Sequence, residues 1–420
     1  MQNDFFGGKR RKLTPVNDLS KPKVPHFDSL PTEQSDQLPA PASFQNPIIT
    51  PAEDAPVPAP PNTPKHHPRF MSFKWQRDKR TTLITLLTTI VLITLATAFA
   101  FISQPPKSQG GTEARKNPVH TPKVIPIVSN LTGLPADVTI NQRPITGVMI
   151  ENSRDARPQS GLDQAGVVFE AIAEGGITRF MALFQDNTPD YIGPIRSARP
   201  YYVQWCMGFD CALAHVGGSP EALANIREWG TKDLDQPFPG AYRRISSRYS
   251  PHNMYGSVPK FNELEASKGY GAATFTSLGR KADAPNNTPN ASNITINISS
   301  ALYNSSYSYD KAANSYLRSQ GGAPHMVADA NGTETQLKPK VIIAMVMNYS
   351  VLSDKHSVYG TIGSGQAFIF QDGTMTPATW NKPDIKTNVS LTDSSGKVVP
   401  LNAGQTWFVA VSDTNKVIFN

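Results

Sequence analysis

The 420-residue chain contains only two cysteines, Cys206 and Cys211. Two further ligands at short spacing are absent around them, so a four-ligand structural zinc site is excluded there. The cysteines are five residues apart, with Gly208 between them. A turn at Gly208 would allow a disulfide, which an extracytoplasmic location permits, whereas two buried free thiols fit the spacing equally well. The sequence leaves both alternatives open.

Motifs of several common site classes are also missing. The chain has no H-E-x-x-H zinc motif and no G-x-S-x-G nucleophile motif. The GSGQ segment at 363–366 lacks the lysine and the following helix of a nucleotide-binding loop. A metal set of His215, His252 and His325, with Asp329 as a fourth ligand, would contain no two histidines at i, i+4. The sequence therefore predicts no metal site and no bound cofactor.

Basic charge is not in large excess outside the N-terminal region. The formal net charge is +7, but residues 1–80 contain twelve Lys and Arg residues against eight acids. The remainder contains twenty-eight Lys and Arg residues and twenty-five acids, which is close to balance. A nucleic-acid-binding surface usually needs a clustered basic excess. We therefore expect no nucleic-acid partner.

The first 129 residues differ in composition from the rest of the chain. Residues 1–80 contain fourteen prolines, which is typical of a disordered tail. Residues 81–103 carry no charge, and at about 1.5 Å per residue they are long enough to cross a hydrocarbon core of about 30 Å. Basic residues are denser before this span than after it, which predicts a cytoplasmic N-terminus. We expect a single-pass membrane protein that contacts lipid through 81–103, with 104–129 as a linker.

The remaining residues predict two segments of different character. From 130 to 280, buried strands accompany one clear helix in SPEALANIREWG, with Ser219 as N-cap and Gly230 as its stop. From 290 to 420, period-two alternation and DG and GG turns predict antiparallel sheet, including a C-terminal strand. The predicted fold class is α/β or α+β: a layered mixed-sheet domain followed by a β-rich domain.

Glycine, proline and charged residues recur together between Glu170 and Asn253. Charged residues on loops whose backbone is fixed in this way often form binding and catalytic sites. The candidate ligand-binding residues in this block are Glu170, Glu174, Arg179, Arg196, Arg199, His215, Ser219, His252 and Asn253.

Each group of candidates has a structural alternative. On a helix, Glu170 and Glu174 would share one face and could act as an acid and base pair; otherwise they form ion pairs that lock the glycine turn after Glu174. Arg196 and Arg199 could hold a carboxylate or phosphate, or could pair with the two glutamates.

A serine and a histidine form the third group. Ser219 could be a nucleophile with His252 as its base. The run Ser219-Pro220-Glu221 is already explained as a helix cap, however, and the sequence places no acid beside the pair.

Several long runs together resemble the YerB-like family, a bacterial family of unknown function typified by lipoproteins. They are RPITGVMIENSRDARPQSGLDQAGVVFEAIAEGGITRFMALFQ, IGPIRSARPYY, AHVGGSPEAL, SPHNMY, HMVADANGT, IGSGQAFIFQDGTMTPATWNKPDIKT and LNAGQTWFVAV. The resemblance covers roughly 130–420 and implies extracytoplasmic placement and mixed α/β architecture, but no activity. Members often carry a lipidated N-terminal cysteine, which is absent here; the span at 81–103 would anchor this chain instead.

These observations lead to two functional hypotheses. The first is a membrane-anchored extracytoplasmic protein of the cell envelope that binds an anionic glycan or peptide. The alternative is an envelope hydrolase or transferase that uses Glu170 or Glu174, or Ser219 with His252. The sequence does not decide whether the protein is an enzyme.

Overall fold

The computed structural model describes residues 126–236 and 240–420. The predicted tail at 1–80, the predicted transmembrane helix at 81–103 and most of the predicted linker lie outside these residues. Within the described part, no helix is long and apolar enough to span a membrane. All described residues belong to one compact unit.

The described residues form three α-helices: α1 (Pro200–Gly208), α2 (Pro220–Glu228) and α3 (Val258–Ser267). Each has a proline in its first turn, where the missing N–H costs no hydrogen bond. The Ser219 hydroxyl accepts the Ala222 N–H and caps α2 (3.2 Å). The sequence prediction of this helix is confirmed.

The strands account for most of the regular structure. Those of the first segment are β1 (Thr146–Glu151), β2 (Val167–Glu174), β3 (Ile177–Phe184), β4 (Ala212–Ala214), β5 (Lys232–Asp233), β6 (Tyr242–Arg244), β7 (Met254–Gly256) and β8 (Arg280–Lys281). Those of the second segment are β9 (Asn293–Ile296), β10 (Ser305–Asp310), β11 (Ser315–Gln320), β12 (Ala323–Pro324), β13 (Met326–Ala328), β14 (Glu334–Gln336), β15 (Val341–Val346), β16 (Tyr349–Val351), β17 (Ser357–Tyr359), β18 (Gly363–Gln371), β19 (Thr374–Lys382), β20 (Ser390–Thr392), β21 (Leu401–Asn402), β22 (Thr406–Val411) and β23 (Val417–Phe419).

One ten-stranded mixed sheet runs through both segments in the order β20-β19-β18-β15-β22-β2-β3-β1-β4-β5. The segments join where β2 pairs in parallel with β22, from Val167 opposite Thr406 to Glu170 opposite Val409. Both strands are almost wholly buried, as expected for the centre of a sheet that is covered on its two faces. The fold is therefore a sheet-rich α+β structure in which the two segments share one sheet.

A second, five-stranded antiparallel sheet has the order β12-β11-β10-β9-β23. Its residues Ile296 and Tyr316 belong to the same buried apolar cluster as Phe169 and Phe408 of the large sheet. This shared core gives the molecule its layered arrangement. The pairing of β23 with β9 confirms that the C-terminus is tied into a sheet.

Cys206 and Cys211 form a disulfide, with their Cα atoms 5.2 Å apart. The bond links α1 to the chain that leads into β4; Gly208 ends α1, and the turn between the two cysteines lies at Phe209 and Asp210. Of the two alternatives that the sequence left open, the structure has the disulfide.

Candidate functional site

The charged residues between Glu170 and Asn253 separate into several groups with different partners. Glu170 belongs to a wholly buried network, and its Oε2 accepts a bond from Arg318 Nη2 (2.9 Å). Burial raises the pKa of Glu170, while the Arg318 guanidinium and the Thr178 hydroxyl act in the opposite direction. Arg318 also donates from Nε to His325 Nδ1 (2.9 Å). This network connects β2 to β11 and has no exposed member with which to meet a ligand.

Glu174 has a separate set of partners at the end of β2. It accepts from Arg179 Nη2 (3.0 Å) and from Arg199 Nη2. Burial alone would raise the pKa of Glu174, but the two guanidinium groups outweigh it and hold that pKa below its ordinary value. These ion pairs hold the end of β2 beside the glycine turn that joins β2 to β3. This is the structural alternative for Glu174 given in the sequence analysis.

The helical alternative for Glu170 and Glu174 is wrong, because both lie on strand β2. A β-bulge between Ile172 and Glu174 shifts the register with β3. A bulge redirects the side chains beyond it, and the two carboxylates have no hydrogen-bond partner in common. The two carboxylates therefore belong to separate hydrogen-bond networks.

His215 and Ser219 also have local structural partners. His215 is fully buried after β4, with Nε2 3.0 Å from Asp233 Oδ1 and Nδ1 2.8 Å from the Gly217 carbonyl. Ser219 caps α2. Among the described residues, no hydrogen bond joins Ser219 to His252, so the structure does not assemble the serine nucleophile that the sequence suggested.

The arrangement best suited to meet a ligand is a group of four residues, Glu151, Ser153, Arg196 and His252, here named the Glu151 cluster. Glu151 ends β1, and its side chain is only 4% exposed. Its Oε1 accepts from Ser153 Oγ (2.9 Å) and lies 3.0 Å from His252 Nδ1 and 3.4 Å from Arg196 Nε. One buried carboxylate oxygen thus holds Ser153 and His252 by hydrogen bonds, whereas Arg196 is drawn to it by charge alone, since Nε makes no hydrogen bond among the described residues.

The outer atoms of this cluster face solvent. The side chains of Arg196 and His252 are 24% and 23% exposed. Within 126–236 and 240–420, neither His252 Nε2 nor the terminal nitrogens of Arg196 have a hydrogen-bond partner. One nitrogen of each side chain contacts Glu151, and the outer nitrogens remain available to a ligand.

Three neighbouring backbone segments bring the cluster together. The N–H of Glu151 donates to a carbonyl of segment 193–196 (2.9 Å), and the N–H of Ile195 donates to the Met254 carbonyl (2.6 Å). His252 lies two residues before Met254, and segment 193–196 ends at the arginine of the cluster. Backbone pairing between β1, this segment and β7 therefore sets the three side chains beside one another.

The loops around the cluster have constrained backbones. Cis peptide bonds occur at Arg157–Pro158, Gly193–Pro194 and Ser250–Pro251. At Gly193 a Cβ atom would lie 2.9 Å from the Met254 carbonyl oxygen. Only glycine fits this approach without a shift, so Gly193 keeps segment 193–196 against β7.

Asn253 supports the loop that carries His252. Its Oδ1 accepts from Arg244 Nη1 (2.7 Å), and its Nδ2 donates to the Ile245 carbonyl (3.3 Å). Of the sequence candidates, Arg196 and His252 lie together in the cluster, and Asn253 holds the loop beside them. Glu151 and Ser153 were not among the candidates, although a charged residue that ends the apolar strand ITGVMIEN was a usable signal.

The surface beside the cluster is basic. Segments 153–157 and 242–252 contain one acid and five arginines; the arginines are Arg154, Arg157, Arg243, Arg244 and Arg248. Such clustering raises the local positive potential even though the chain as a whole is near balance. In the described residues, no three His, Cys, Asp or Glu side chains are grouped so that they could hold a metal ion.

Comparison with known proteins gives consistent matches over the described part. The family described as "Protein of unknown function (DUF3048) N-terminal domain" matches residues 131–271, and the corresponding C-terminal domain matches 294–408. YerB of Bacillus subtilis (strain 168), whose name describes it as a candidate lipoprotein, is 32% identical over 291 residues, covering 67% of this chain and 86% of that protein. The crystal structure of YerB from Bacillus subtilis matches with a TM-score of 0.62 and 28% identity, covering 70% of this chain and 99% of that one.

Proposed function

The chain belongs to the DUF3048 family of proteins of unknown function, and we propose that it binds an anionic glycan or peptide of the bacterial cell envelope. The Glu151 cluster is the proposed site. The observation that carries the proposal is the division of contacts at Arg196 and His252. One nitrogen of each side chain faces the buried Glu151 carboxylate, while the others have no partner among the described residues.

The chemistry of these groups suits an anion. Arg196 can donate two parallel N–H bonds to a carboxylate or phosphate, and His252 can add a third from Nε2 when its ring is protonated. Because Glu151 already contacts His252 through a hydrogen bond and Arg196 through an ion pair, a ligand would have less to order on binding. The arginines of the adjoining loops would attract the ligand over a longer range.

Binding to isolated bacterial cell walls tests this proposal. We expect the 420-residue chain to bind the walls more weakly as salt rises, and Arg196→Gln to weaken binding about tenfold, since one charge-assisted contact accounts for roughly that factor. Arg227→Gln removes the same charge from an exposed position in the last turn of α2 and serves as the matched control. Equal binding by the two variants would show that the Glu151 cluster is not the site.

The same assay separates the two ligand classes. Walls stripped of anionic glycan by mild acid would lose the protein if the glycan is the ligand, and would retain it if the wall peptide is.

The proposed location is extracytoplasmic, with residues 81–103 crossing the membrane and the N-terminus in the cytoplasm. The relative described as a candidate lipoprotein supports attachment to a membrane, and the uncharged run supports a spanning helix as the means. Protease added to intact spheroplasts should digest the C-terminal part and spare an N-terminal tag. Digestion of that part only after lysis would contradict the topology.

A second candidate function, hydrolysis of an envelope polymer, is favoured by one observation. His252 Nδ1 faces a carboxylate and leaves Nε2 free, which is the arrangement of a general base. Nε2 would take a proton from a water molecule, the water oxygen would attack the scissile centre, and the proton would pass to the leaving group. Release of soluble wall fragments by the wild-type protein, abolished by His252→Gln, would support hydrolysis. Binding of the walls without any release would contradict hydrolysis and leave binding as the function.

A further inference from the structure

A cavity of about 270 Å³ lies between the two segments of the chain. The first segment contributes Arg157, and the second contributes Gln320, His325 and Glu334 from β11 to β14. None of these residues belongs to the Glu151 cluster, and the cavity is not needed for the binding proposed there. Its volume is near the lower end of small-molecule sites, which begin at about 300 Å³.

Gln320 lines this cavity, and its side chain carries a buried acceptor without a hydrogen-bond partner among the described residues. The residue is only 5% exposed, and the acceptor is Oε1. Its Nε2 donates to the Tyr303 carbonyl (3.2 Å) and to Glu170 Oε1 of the buried network (3.5 Å), and these two acceptors show which end of the amide is the oxygen. A buried acceptor without a donor is unfavourable, so a ligand that brings an N–H to it would gain on binding.

Arg157 gives the cavity an oriented cation. Its Nε donates to Asn152 Oδ1 (3.2 Å), and its Nη2 donates to the carbonyls of Asn152 and Leu302 (each 3.2 Å). The guanidinium also lies 5.4 Å from the centre of the Tyr303 ring. Within the part of the chain that the structure describes, Nη1 has no partner, so it remains free to bind a carboxylate.

Glu334 completes the set with a negative charge. It is an exposed residue at the start of β14 and forms no ion pair with any described residue. His325 also lines the cavity, but both of its ring nitrogens already have partners, Arg318 and Gln159. The lining groups without a partner among the described residues are therefore a cation, a buried amide oxygen and an anion.

We propose that this cavity binds a zwitterionic dipeptide, or the free end of a peptide of the same chemistry. The ligand carboxylate binds Arg157, its amide N–H donates to Gln320 Oε1, and its ammonium group pairs with Glu334. A dipeptide of small residues carries these three groups and suits a site of this volume. An anionic glycan lacks the ammonium group and would place negative charge beside Glu334.

Isothermal titration calorimetry with dialanine on the 420-residue chain in non-ionic detergent tests the proposal. We expect dialanine to bind, and Glu334→Gln to weaken binding about tenfold, as expected for the loss of one ionic contact. Glu228→Gln, an exposed carboxylate at the end of α2, is the matched control and should leave the affinity unchanged. Because Glu334 is exposed and unpaired, its replacement should not disturb folding.

Two modified ligands assign the contacts. N-acetyl-dialanine has no ammonium group, so we expect it to bind the wild-type and Glu334→Gln proteins equally. Dialanine amide has no carboxylate and should bind more weakly than dialanine, because Arg157 loses its partner. Absence of dialanine binding to the wild-type protein, or equal binding by the Glu334→Gln and Glu228→Gln proteins, would overturn the proposal.

Discussion

Replacing Glu265 by glutamine should stabilise the protein at alkaline pH. Glu265 lies on α3 and is fully buried against β1. Its Oε1 accepts from Thr146 Oγ1 (2.8 Å), whereas its Oε2 is buried without a partner. Burial raises the pKa of Glu265 from 4.5 to about 7, because a charged carboxylate would lose its hydration there.

The size of the effect follows from the two pKa values. Between them the folded state holds a proton that the unfolded state has released, so the free energy of unfolding falls as pH rises through this window. At about 1.4 kcal/mol per unit, the shift corresponds to about 3 kcal/mol by about pH 8. Glutamine keeps the acceptor for Thr146 and cannot ionise. The Glu265→Gln protein should therefore match the wild type near pH 4 and exceed its stability by up to about 3 kcal/mol near pH 8.

Urea unfolding of both proteins across this pH range measures the difference. Glu263→Gln is the control, because Glu263 lies on the same helix but is exposed and pairs with Lys260. The stability of the Glu263→Gln protein should follow the pH profile of the wild type. A Glu265→Gln profile that runs parallel to the wild type at every pH would refute the reasoning, since the titration of Glu265 would then not contribute.

Three further changes should alter stability by amounts that urea unfolding can measure. Arg318→Met leaves the buried Glu170 carboxylate without its cation and should cost about 3 to 5 kcal/mol, part of which Glu170→Gln in the same chain should restore. Replacing both Cys206 and Cys211 by alanine should cost about 2 kcal/mol, because the disulfide closes a short loop. Ser219→Ala removes the cap of α2 and should cost about 1 kcal/mol.

Each of these predictions has a result that would contradict it. Unchanged stability of the Arg318→Met protein would show that Arg318 does not compensate the charge of the buried Glu170 carboxylate. Reduction of the wild-type disulfide should destabilise as much as the double alanine variant, and a larger loss in that variant would point to packing instead. Unchanged stability of the Ser219→Ala protein would show that the hydroxyl contributes nothing as a cap of α2.

The sequence predicted the elements whose signals are local. Ser219 and Gly230 mark the two ends of α2, because capping and a left-handed terminal residue depend on neighbours in the chain. The alternating pattern of the second segment likewise indicated its strands. The run around Glu170 remained ambiguous between helix and strand, since a buried central strand shows no alternation. Its β-branched residues and its place between β3 and β22 explain the observed strand.

What the sequence could not predict depends on pairing between distant residues. No local sequence pattern indicates that Val167 lies opposite Thr406. This pairing of β2 with β22 joins the two segments into one sheet. The site shows the same limit. Arg196 and His252 were candidates because of their loops, but their common partner Glu151 is joined to them only through the backbone pairing of β1, segment 193–196 and β7.

The binding of isolated cell walls by a Glu151→Gln protein tests the central claim most directly. If Glu151 orients Arg196 and His252, the substitution should weaken binding about tenfold, although it removes a negative charge from a site for anions. If binding depended only on the positive potential of the surface, the loss of this carboxylate would strengthen it. Weaker binding at an unchanged unfolding temperature is the result predicted here, and unchanged or stronger binding would contradict it.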